Sequence, residues 1–462
     1  MCESTAGLRA IGLNVQADSV PTLLFQRHER RGTDSLVAPT VEVAPVKHLI
    51  ASTTNGNGVR KTNASAPAVS EPSVPLRAGS CGFSVVSYNV LLPNSADGWW
   101  IYKYYREVGD HTCWPARQGL LRQQLLGMDP DIICLQEASE LAFTDDFAFL
   151  VDAGYAALLH EKKGRMRPAT FWRSSSFDLV SAQHKDRTLV VRLQPRGTGE
   201  AFYVVNVHLS AGQTADRRLR QMTEALDAVS KDARSRKEEP SKVPTVVCGD
   251  FNSQGSTGVR ELLMSGEVGP EFREHGDPTE KGEPKQVTSK TKRQAIGNFK
   301  DSAHEAFGEA APATILAANI DSKMIHDDGT PTTDLLSVVE RAFESCSHQG
   351  LMTREDVDRW LLLVNKEIGR GSEYRAAVAA FERRGEETLD LEAFTQIYTQ
   401  ELAEGKFWGV EHDLRAMLGS GMAVPAEGPC ELRFDYIYFT SSSLRLEGAL
   451  QPLAQERRRG IW

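Results

Sequence analysis

The stretch that most constrains this chain runs from Val243 to Ser253, where an apolar, β-branched run leads directly into polar residues. Residues 243–247 predict a short buried strand, because β-branched side chains pack well in sheets. Asp250 and Asn252 follow and, being two residues apart in an extended backbone, point to the same side. Such a pair suits a centre that activates water and holds a phosphate, whereas a solvated turn is the simpler alternative.

Two earlier segments also place a polar side chain at the end of a predicted strand. Phe83–Tyr88 alternates as a strand does, and Asn89 follows it. Residues 131–137 form a second apolar run that ends in Glu137. A carboxylate at that point is a natural ligand for a hard divalent cation, and the alternative is an acid in the first turn of a helix.

Two further predicted strands carry polar residues inside an apolar pattern. Phe202–Leu209 places Asn206 and His208 on one face, and this pairing favours a functional interpretation over a hydrogen-bonded core histidine. Glu431–Thr440 has Asp435 in its middle, where burial without a partner would be costly. We therefore predict a histidine or a metal beside Asp435, with a strand solvated on one face as the alternative.

Charge divides the chain, whose formal net charge is −9 over 462 residues. Residues 330–428 contain 18 acidic and 10 basic side chains, so the remainder is close to neutral and is not a strongly basic nucleic-acid binder. Residues 1–79 predict no regular structure, although the apolar piece Val20–Phe25 could dock on the body. We predict an α/β domain over 80–329 and 429–462, interrupted by an acidic helical insert.

The chain shows no apolar run of the roughly 18 residues that span a membrane. Its first residues lack the basic and apolar regions of a secretory signal. Seven scattered cysteines, an odd number without zinc-knuckle spacing, favour a reducing compartment. We predict an intracellular, cytoplasmic protein, with organelle targeting left open.

The acidic insert contains two helix–loop–helix patterns. The loop over 345–356 has Gly350 at its sixth place and Met352 at its eighth, and the loop over 382–393 has Leu389 at its eighth. The pair resembles two EF-hands, but calcium needs a bidentate acid at the twelfth place, and neither loop offers a glutamate there. We predict a structural unit that binds Ca²⁺ weakly or not at all and that could dock a protein partner. Its weak calcium candidates are Asp356, Glu382, Glu386 and Asp390.

Five polar motifs occur in a fixed order along the chain. They are Asn89 after a strand, Leu135-Gln136-Glu137, Asn206-Val207-His208-Leu209, Gly249-Asp250-Phe251-Asn252 and Phe434-Asp435-Tyr436-Ile437. Together they resemble the endonuclease/exonuclease/phosphatase superfamily, over about 80–330 and 428–450. Ser87–Leu91 and Asp131–Glu137 resemble its deadenylase and nocturnin branch, and with the insert the chain is similar to plant calcium-binding members. The resemblance implies a four-layer α/β sandwich, with two central sheets flanked by helices.

The resemblance also implies a metal site and a residue that acts on water. Glu137, helped by Asn89, would bind Mg²⁺ or Mn²⁺, which prefer a few oxygen ligands together with water and substrate phosphate. Asp250 would orient or deprotonate the attacking water.

Phosphate binding and stabilisation of its developing charge would fall to Asn252, Asn206 and His208. Asp435 would orient a catalytic histidine that the family carries in a later Ser-Asp-His motif. The chain departs from the family here, because it contains no Ser-Asp-His and no histidine after His412. Truncation of an active enzyme and genuine loss of catalysis both explain this, and the intact remaining motifs favour truncation.

The function predicted from these features is a magnesium-dependent phosphodiesterase, in particular a deadenylase-type 3′ exoribonuclease acting on an RNA 3′ end. One alternative is a phosphatase on a small phosphorylated molecule such as a dinucleotide, an inositol phosphate or a lipid headgroup. The other is a non-catalytic regulatory protein that uses the EF-hand-like insert. The missing histidine puts the activity of this particular chain in question.

Overall fold

The computed structural model describes most of the chain between residues 82 and 449, together with one short strand near the N-terminus. The predicted calcium candidate Glu386 lies outside the described residues, as do residues 450–462. The described residues are 22–27, 82–91, 114–161, 166–197, 200–275, 283–321, 324–326, 328–366, 368–369, 371–385, 387–404, 406–422 and 424–449.

Helices and strands of the described residues are numbered here in chain order. The helices are α1 (Trp114–Met128), α2 (Phe143–Asp146), α3 (Ala148–Asp152), α4 (Ala215–Ser235), α5 (Gly258–Ser265), α6 (Ser302–Phe307), α7 (Thr333–Cys346), α8 (Arg354–Asn365), α9 (Gly371–Arg384), α10 (Leu391–Ala403) and α11 (Phe407–Leu418). The strands of the N-terminal half are β1 (Thr22–Arg27), β2 (Phe83–Asn89), β3 (Ile132–Ala138), β4 (Tyr155–Leu159), β5 (Arg167–Arg173), β6 (Phe177–Lys185), β7 (Thr188–Pro195), β8 (Phe202–His208) and β9 (Thr245–Asp250). Those that follow are β10 (Glu267–Val268), β11 (Arg273–Glu274), β12 (Lys285–Gln286), β13 (Lys292–Arg293), β14 (Phe299–Asp301), β15 (Ile315–Asp321), β16 (Met352–Thr353), β17 (Thr388–Leu389), β18 (Val424–Leu432), β19 (Asp435–Thr440) and β20 (Leu444–Ala449).

Two six-stranded sheets form the body of the protein. The first has the order β20-β1-β2-β3-β5-β4 and the second the order β14-β19-β9-β8-β7-β6. One central pair in each sheet is parallel, β2 with β3 and β8 with β9, and the other neighbours are antiparallel. Parallel neighbours end at the same edge of a sheet, so these two pairs decide where the polar strand-end residues meet.

The two sheets pack face to face, and helices cover both outer faces. Phe83 of β2 and Phe202 of β8 stack between the sheets with 4.3 Å between ring centroids. Leu125 of α1 packs in the core outside the first sheet, and Leu226 of α4 in the core outside the second. The predicted four-layer α/β sandwich is therefore confirmed, since strands that are apolar on both faces need cover on both.

Helix α4 shows how the sequence forms the outer layer. Its buried apolar face consists of Leu219, Met222, Leu226 and Val229. The helical spacing of these residues in the sequence predicts a helix over 215–231, and the structure confirms it and extends it to Ser235. The sequence also predicts one helix over 145–153, but the structure has two short helices there, α2 and α3, separated at Phe147. Phe147 has φ −120°, outside the helical region, and its ring packs on Phe171 at 5.7 Å.

Strands β4 and β6 lie at the edges of the two sheets and have no counterpart in the sequence prediction. β6 pairs with β7 along its length, but most of its residues are only half-buried. A strand with partly solvated sides shows little apolar periodicity, which explains why its pattern was not recognised.

Strand β1 corrects the prediction that residues 1–79 lack regular structure. Thr22–Arg27 lies between β2 and β20 and pairs antiparallel with both. The sequence suggests that the apolar piece Val20–Phe25 could dock on the body, and within it the residues of β1 do so by strand pairing. The backbone N–H and C=O groups along the free edge of β2 need hydrogen-bond partners, and β1 supplies them.

The C-terminal strand differs from its prediction as a single run over 431–440. β18 ends at Leu432 and β19 begins at Asp435, so Asp435 starts a strand instead of lying in its middle. The hydroxyl oxygen of Thr314 accepts hydrogen bonds from the N–H groups of Phe434 and Asp435, both at 3.1 Å. These bonds satisfy the backbone where the two strands separate.

The acidic insert forms a helical unit with a hydrophobic core of its own. β15 and β18 pair at its base, and helices α7 to α11 lie within Thr333–Leu418. The eighth residues of the two loops, Met352 and Leu389, face each other in a two-stranded pairing. Trp360 and Phe394 pack edge to face at 5.1 Å in its core. The likeness to a pair of EF-hands stays a prediction.

Two of the calcium candidates are engaged as helix caps. Asp356 accepts hydrogen bonds from the N–H and the hydroxyl of Thr353, at 2.9 and 2.8 Å, and the backbone bond holds the pKa of its carboxyl below the usual value. Asp390 accepts the N–H of Ala393 at 2.9 Å, whereas Glu382 is exposed. These bonds satisfy backbone N–H groups at the starts of α8 and α10. Calcium binding by the insert stays a prediction.

The described helices include none long and apolar enough to cross a membrane. Cys134, Cys248 and Cys346 have free thiols. The cytoplasmic location stays a prediction.

Gly249 allows two core strands of the second sheet to approach each other closely. Its φ is +135°, and a Cβ at this position would lie 2.0 Å from the carbonyl oxygen of Val207 in β8. A distance of this kind forces the backbones apart, so only glycine fits here.

We predict that Gly249→Ala lowers the free energy of unfolding by roughly 2–4 kcal/mol or prevents folding, as measured by thermal and urea unfolding. Gly255→Ala is the matched control, because Gly255 also has a positive φ of +72° but has nothing within 4 Å of the added Cβ. The control should cost only about 1 kcal/mol, the conformational part of the penalty. Equal losses in the two variants would contradict the role assigned to close packing against Val207.

Asp413 of α11 is a buried carboxyl in the core of the insert. The hydroxyl of Tyr398 donates to it at 3.4 Å, and Nδ1 of His412 lies 3.1 Å from its Oδ1. Burial raises the pKa of Asp413 to about 7. The folded protein therefore binds this proton more tightly than the unfolded chain, and stability falls as the pH rises from the ordinary carboxyl range through about 7.

We predict that Asp413→Asn removes this pH-dependent loss of stability. Between about pH 5 and about pH 8, the free energy of unfolding of the variant should rise relative to that of the wild type by on the order of 2 kcal/mol. Urea unfolding at the two pH values measures the difference. Glu344→Gln, which neutralises an exposed carboxylate of α7, is the control and should follow the wild type. Parallel pH profiles for Asp413→Asn and the wild type would contradict the prediction.

Candidate active site

Polar side chains from both sheets meet at one edge of the sandwich. Asn89 ends β2 beside Gln136 of β3, and His208 ends β8 beside Asp250 of β9. Both strand pairs are parallel, so the carboxyl ends within each pair lie at the same edge of its sheet. Face-to-face packing of the sheets then brings the four strand ends together.

Short distances define one cluster of side chains. Nδ2 of Asn89 donates to Oε1 of Glu137 at 3.0 Å and to Oδ2 of Asp250 at 2.9 Å. Nε2 of His208 lies 3.7 Å from Oε1 of Glu137 and 3.9 Å from Oδ2 of Asp250. His208 and Asp250 are buried, and Glu137 is half-buried. We call these four residues the carboxylate cluster.

A β-bulge directs Glu137 into the carboxylate cluster. The pairing of β3 with β5 shifts register at this point, and Glu137 has φ +63°, a left-handed conformation that is uncommon outside glycine. The consecutive residues Gln136 and Glu137 therefore both contact the second sheet, Gln136 through Asn206 and Glu137 through His208. Bulges re-aim side chains in this way beside active sites.

The turn after β9 fixes the carboxylate of Asp250. The backbone N–H of Asn252 donates to its Oδ1 at 2.7 Å, which leaves Oδ2 directed towards Asn89. Asn252 has φ +49°, and its side-chain amide donates to the carbonyl oxygen of Leu209 at 2.9 Å. Asn252 thus lies beside the cluster and orients Asp250, while its role in phosphate binding stays a prediction.

Asn206 lies outside the carboxylate cluster. Its side chain is fully buried, and Nδ2 donates to the carbonyl oxygens of Leu135 and Ala169 at 3.2 and 2.9 Å. Its Oδ1 accepts a hydrogen bond from Gln136 at 2.9 Å. A buried amide that is satisfied at both ends ties three strands together. In this arrangement the side chain of Asn206 supports the site from inside the core, and its role in phosphate binding stays a prediction.

Asp435 lies directly across from Asp250, in the register of β19 with β9. Burial, followed by the negative charge of Asp250, raises the pKa of Asp435 well above the usual carboxyl value. Its Oδ1 is buried and has no hydrogen-bond partner among the described residues, so the predicted histidine is not found at this atom. Thr314, which orders the backbone here, was missed because no sequence pattern marks a threonine as a partner of a distant strand.

The donors of the carboxylate cluster fit a hard divalent cation. Ligand atoms of Glu137, His208 and Asp250 all lie within 4.8 Å of one another, and two carboxylates so close repel each other where water is scarce. The amide nitrogen of Asn89 now bridges the carboxylates, while its oxygen accepts the N–H of Leu91 at 2.9 Å. A ligand role for Asn89 therefore requires the opposite orientation of its amide.

Comparison with known proteins gives the same assignment as the motifs. The chain is 29% identical over 231 residues to the CCR4-Not complex 3′-5′-exoribonuclease subunit Ccr4 of Kluyveromyces lactis, a match that covers 40% of this chain and 29% of that protein. It is 28% identical over 242 residues to 2′,5′-phosphodiesterase 12 of Bos taurus, covering 43% and 38%. The chain thus spans less than two fifths of the length of these relatives.

A solved structure of ANGEL2, a 2′,3′-cyclic phosphatase, matches with a TM-score of 0.43 and 21% identity, over 52% of this chain and 80% of that one. The Ccr4-type relative confirms the predicted resemblance to the deadenylase branch. The model of the Endonuclease/Exonuclease/phosphatase family matches residues 86–456, which contain every residue of the carboxylate cluster. This chain belongs to the Endonuclease/Exonuclease/phosphatase family.

Proposed function

We propose that the protein is a divalent-metal-dependent phosphodiesterase that removes nucleotides from the 3′ end of RNA, with poly(A) as its preferred substrate. The observation that carries the proposal is the carboxylate cluster, in which Glu137 and Asp250 from different sheets converge on Asn89 and His208. The similarity to a 3′-5′-exoribonuclease subunit supports the choice of RNA and of its 3′ end.

Glu137 and Asn89 are the residues that would hold Mg²⁺ or Mn²⁺. Their oxygen donors suit either ion, and the bound cation would supply positive charge to the scissile phosphate. Glu137 is only half-buried, so its side chain is partly accessible to solvent. The register shift at Glu137 and its positive φ direct the carboxylate towards the other residues of the cluster.

Asp250 is the residue that we assign to the attacking water. The N–H of Asn252 fixes Oδ1, and Oδ2, which accepts a hydrogen bond from Asn89, would be the proton acceptor if Asn89 held a cation through its amide oxygen. A carboxylate held in this way can orient a water molecule in line with the phosphorus atom and accept its proton.

His208 is the residue that we assign to the phosphate oxygens. Nδ1 lies 3.4 Å from the carbonyl oxygen of Met166, an arrangement that leaves Nε2 directed at the two carboxylates. An N–H at Nε2 would donate to the non-bridging oxygens as their negative charge grows in the transition state. His208 lies in the second sheet, whereas Asn89 lies in the first.

A 2′,5′-linked oligoadenylate is the second candidate substrate. It is favoured by the 28% identity to a 2′,5′-phosphodiesterase over 43% of this chain. The chemistry at phosphorus is the same for both linkages, so the carboxylate cluster would serve either. Discrimination would depend on contacts to the sugar and not on the cluster.

We predict that Glu137→Gln lowers the rate of shortening of 5′-labelled poly(A) RNA by roughly 10²–10³-fold in the presence of Mg²⁺, because an uncharged amide holds the cation poorly. The matched control is Glu140→Gln, the same change at a carboxylate that is 54% exposed and paired with Arg167. It should retain the wild-type rate.

A parallel assay with 2′,5′-linked oligoadenylate and with small phosphate monoesters separates the candidates. Release of 5′-AMP from poly(A) supports the proposal, whereas phosphate release from monoesters alone would reassign the protein as a phosphatase. Wild-type protein that leaves all of these substrates intact, and is indistinguishable from Glu137→Gln, would contradict a catalytic function.

A further inference from the structure

A hairpin turn next to the carboxylate cluster carries an arginine to which neither the motifs nor the proposed mechanism assigns a role. Asp186 and Arg187 connect β6 to β7, with Lys185 paired to Thr188 at the base of the turn. The N–H of His208 donates to the carbonyl oxygen of Arg187 at 2.9 Å. The backbone of Arg187 is therefore fixed against a residue of the carboxylate cluster.

The guanidinium of Arg187 has no anionic partner in the described part of the chain. No ion pair or hydrogen bond joins it to another described side chain, although the residue is half-buried. Burial, and next the positive charge of Arg217, lower the pKa of Arg187, while Asp186, Glu137 and Asp250 act in the opposite direction. Arg187 is thus an incompletely solvated cation within electrostatic range of both carboxylates of the cluster.

The neighbouring carboxylate does not neutralise Arg187, because other residues already use it. Oδ2 of Asp186 lies 3.6 Å from Arg217, 3.4 Å from Arg220 and 3.0 Å from the amide nitrogen of Gln221, which donates to it. Arg217 and Arg220 are themselves about half exposed. Arg220 is also paired with Glu224 at 3.0 Å, so the nearby acids are used by the arginines of α4 and none is bonded to the guanidinium of Arg187 among the described residues.

The backbone conformation at Arg187 also favours a different residue. Its φ is +58°, in the left-handed region where glycine, asparagine or aspartate is the usual choice in a hairpin turn. An arginine in this conformation costs about 1 kcal/mol relative to glycine. A side chain kept at a strained position beside a reactive centre points to a contribution other than stability.

We propose that Arg187 binds the phosphate adjacent to the scissile one in a polynucleotide substrate, so that the protein prefers chains with at least two phosphates over single phosphate esters. This inference rests on the proposed function. Arg187 forms no ion pair with Glu137 or Asp250, so its guanidinium leaves both carboxylates available for the roles assigned to them. A guanidinium offers paired N–H donors that match two phosphate oxygens, which makes it the side chain best suited to this neighbouring group.

Three variants separate the guanidinium from the backbone and from general charge. Arg187→Gly removes the side chain and relieves the left-handed strain, so the Tm should stay close to that of the wild type or rise. Arg187→Lys keeps the charge but not the paired donors. Arg196→Gln is the control: it neutralises an arginine at the other end of the same two strands, where it bonds to Asp178 at 2.7 Å and is 54% exposed.

The measurement compares KM and kcat for an oligoadenylate and for bis(p-nitrophenyl) phosphate, a diester with a single phosphate. We expect Arg187→Gly to raise KM for the oligoadenylate roughly 10- to 100-fold relative to its effect on the small diester, with little change in kcat. Arg187→Lys should lie between this variant and the wild type. Arg196→Gln should leave both substrates unaffected. The ratio of KM for the oligoadenylate to KM for the small diester is the deciding quantity. If this ratio is the same in Arg187→Gly and Arg196→Gln, the inference is overturned.

A chemical change in the substrate also tests the contact between Arg187 and the adjacent phosphate. An oligoadenylate whose linkage next to the scissile one is a neutral methylphosphonate should bind the wild type as weakly as Arg187→Gly binds the unmodified chain. The two changes together should cost no more than either alone, because both remove one interaction. Additive losses overturn the inference.

Binding distinguishes failure of this inference from failure of the proposed function. Fluorescence anisotropy with labelled oligoadenylate needs no turnover. A wild type that binds but does not cleave contradicts the proposed function, and the inference then stands if Arg187→Gly binds more weakly than Arg196→Gln. Equal binding by these two variants, or no binding by the wild type, overturns the inference itself.

Discussion

Repulsion between the carboxylates of Glu137 and Asp250 is the interaction on which the site depends. The two groups come from different sheets, and the amide nitrogen of Asn89 bridges them at 3.0 and 2.9 Å. Two charges held so close in a partly buried site are unfavourable unless positive charge lies between them. The fold thus maintains an arrangement that a divalent cation would relieve, and this is the physical basis of the proposed metal-dependent chemistry.

The sheets hold this arrangement by means of a few local features. Each sheet contributes one parallel pair of strands, so that the ends of β2, β3, β8 and β9 meet. A bulge turns Glu137 towards the second sheet, and Gly249 allows β9 to lie against Val207 without a Cβ between them. Asn206 and Gln136 join the sheets behind the site through a buried amide pair. The positions of the reactive groups therefore follow from backbone geometry, not from flexible loops.

The sequence predicted those features of the structure that depend on local residue pattern. Apolar runs ending in Asn89, Glu137 and Asp250 predicted the core strands and the polar ends. The sequence could not predict contacts that depend on tertiary packing. Asn206 shares the face of His208 in sequence, yet its amide is fully satisfied inside the core, and a turn residue such as Arg187 carries no periodic signal that relates it to the site. Asp356 and Asp390 are of the residue type that binds calcium, and their sequence positions did not show that each hydrogen-bonds to the backbone at the start of a helix.

The proposed function depends on the carboxylate cluster being a divalent-cation site. A crystal structure of the protein with Mn²⁺, analysed by anomalous diffraction, tests it most directly. We expect an anomalous peak bonded to Glu137, with Asn89 as a further ligand, and its loss in Glu137→Gln. A cluster without a peak at saturating Mn²⁺, or a peak found only in the acidic insert, would contradict metal-dependent chemistry at this site.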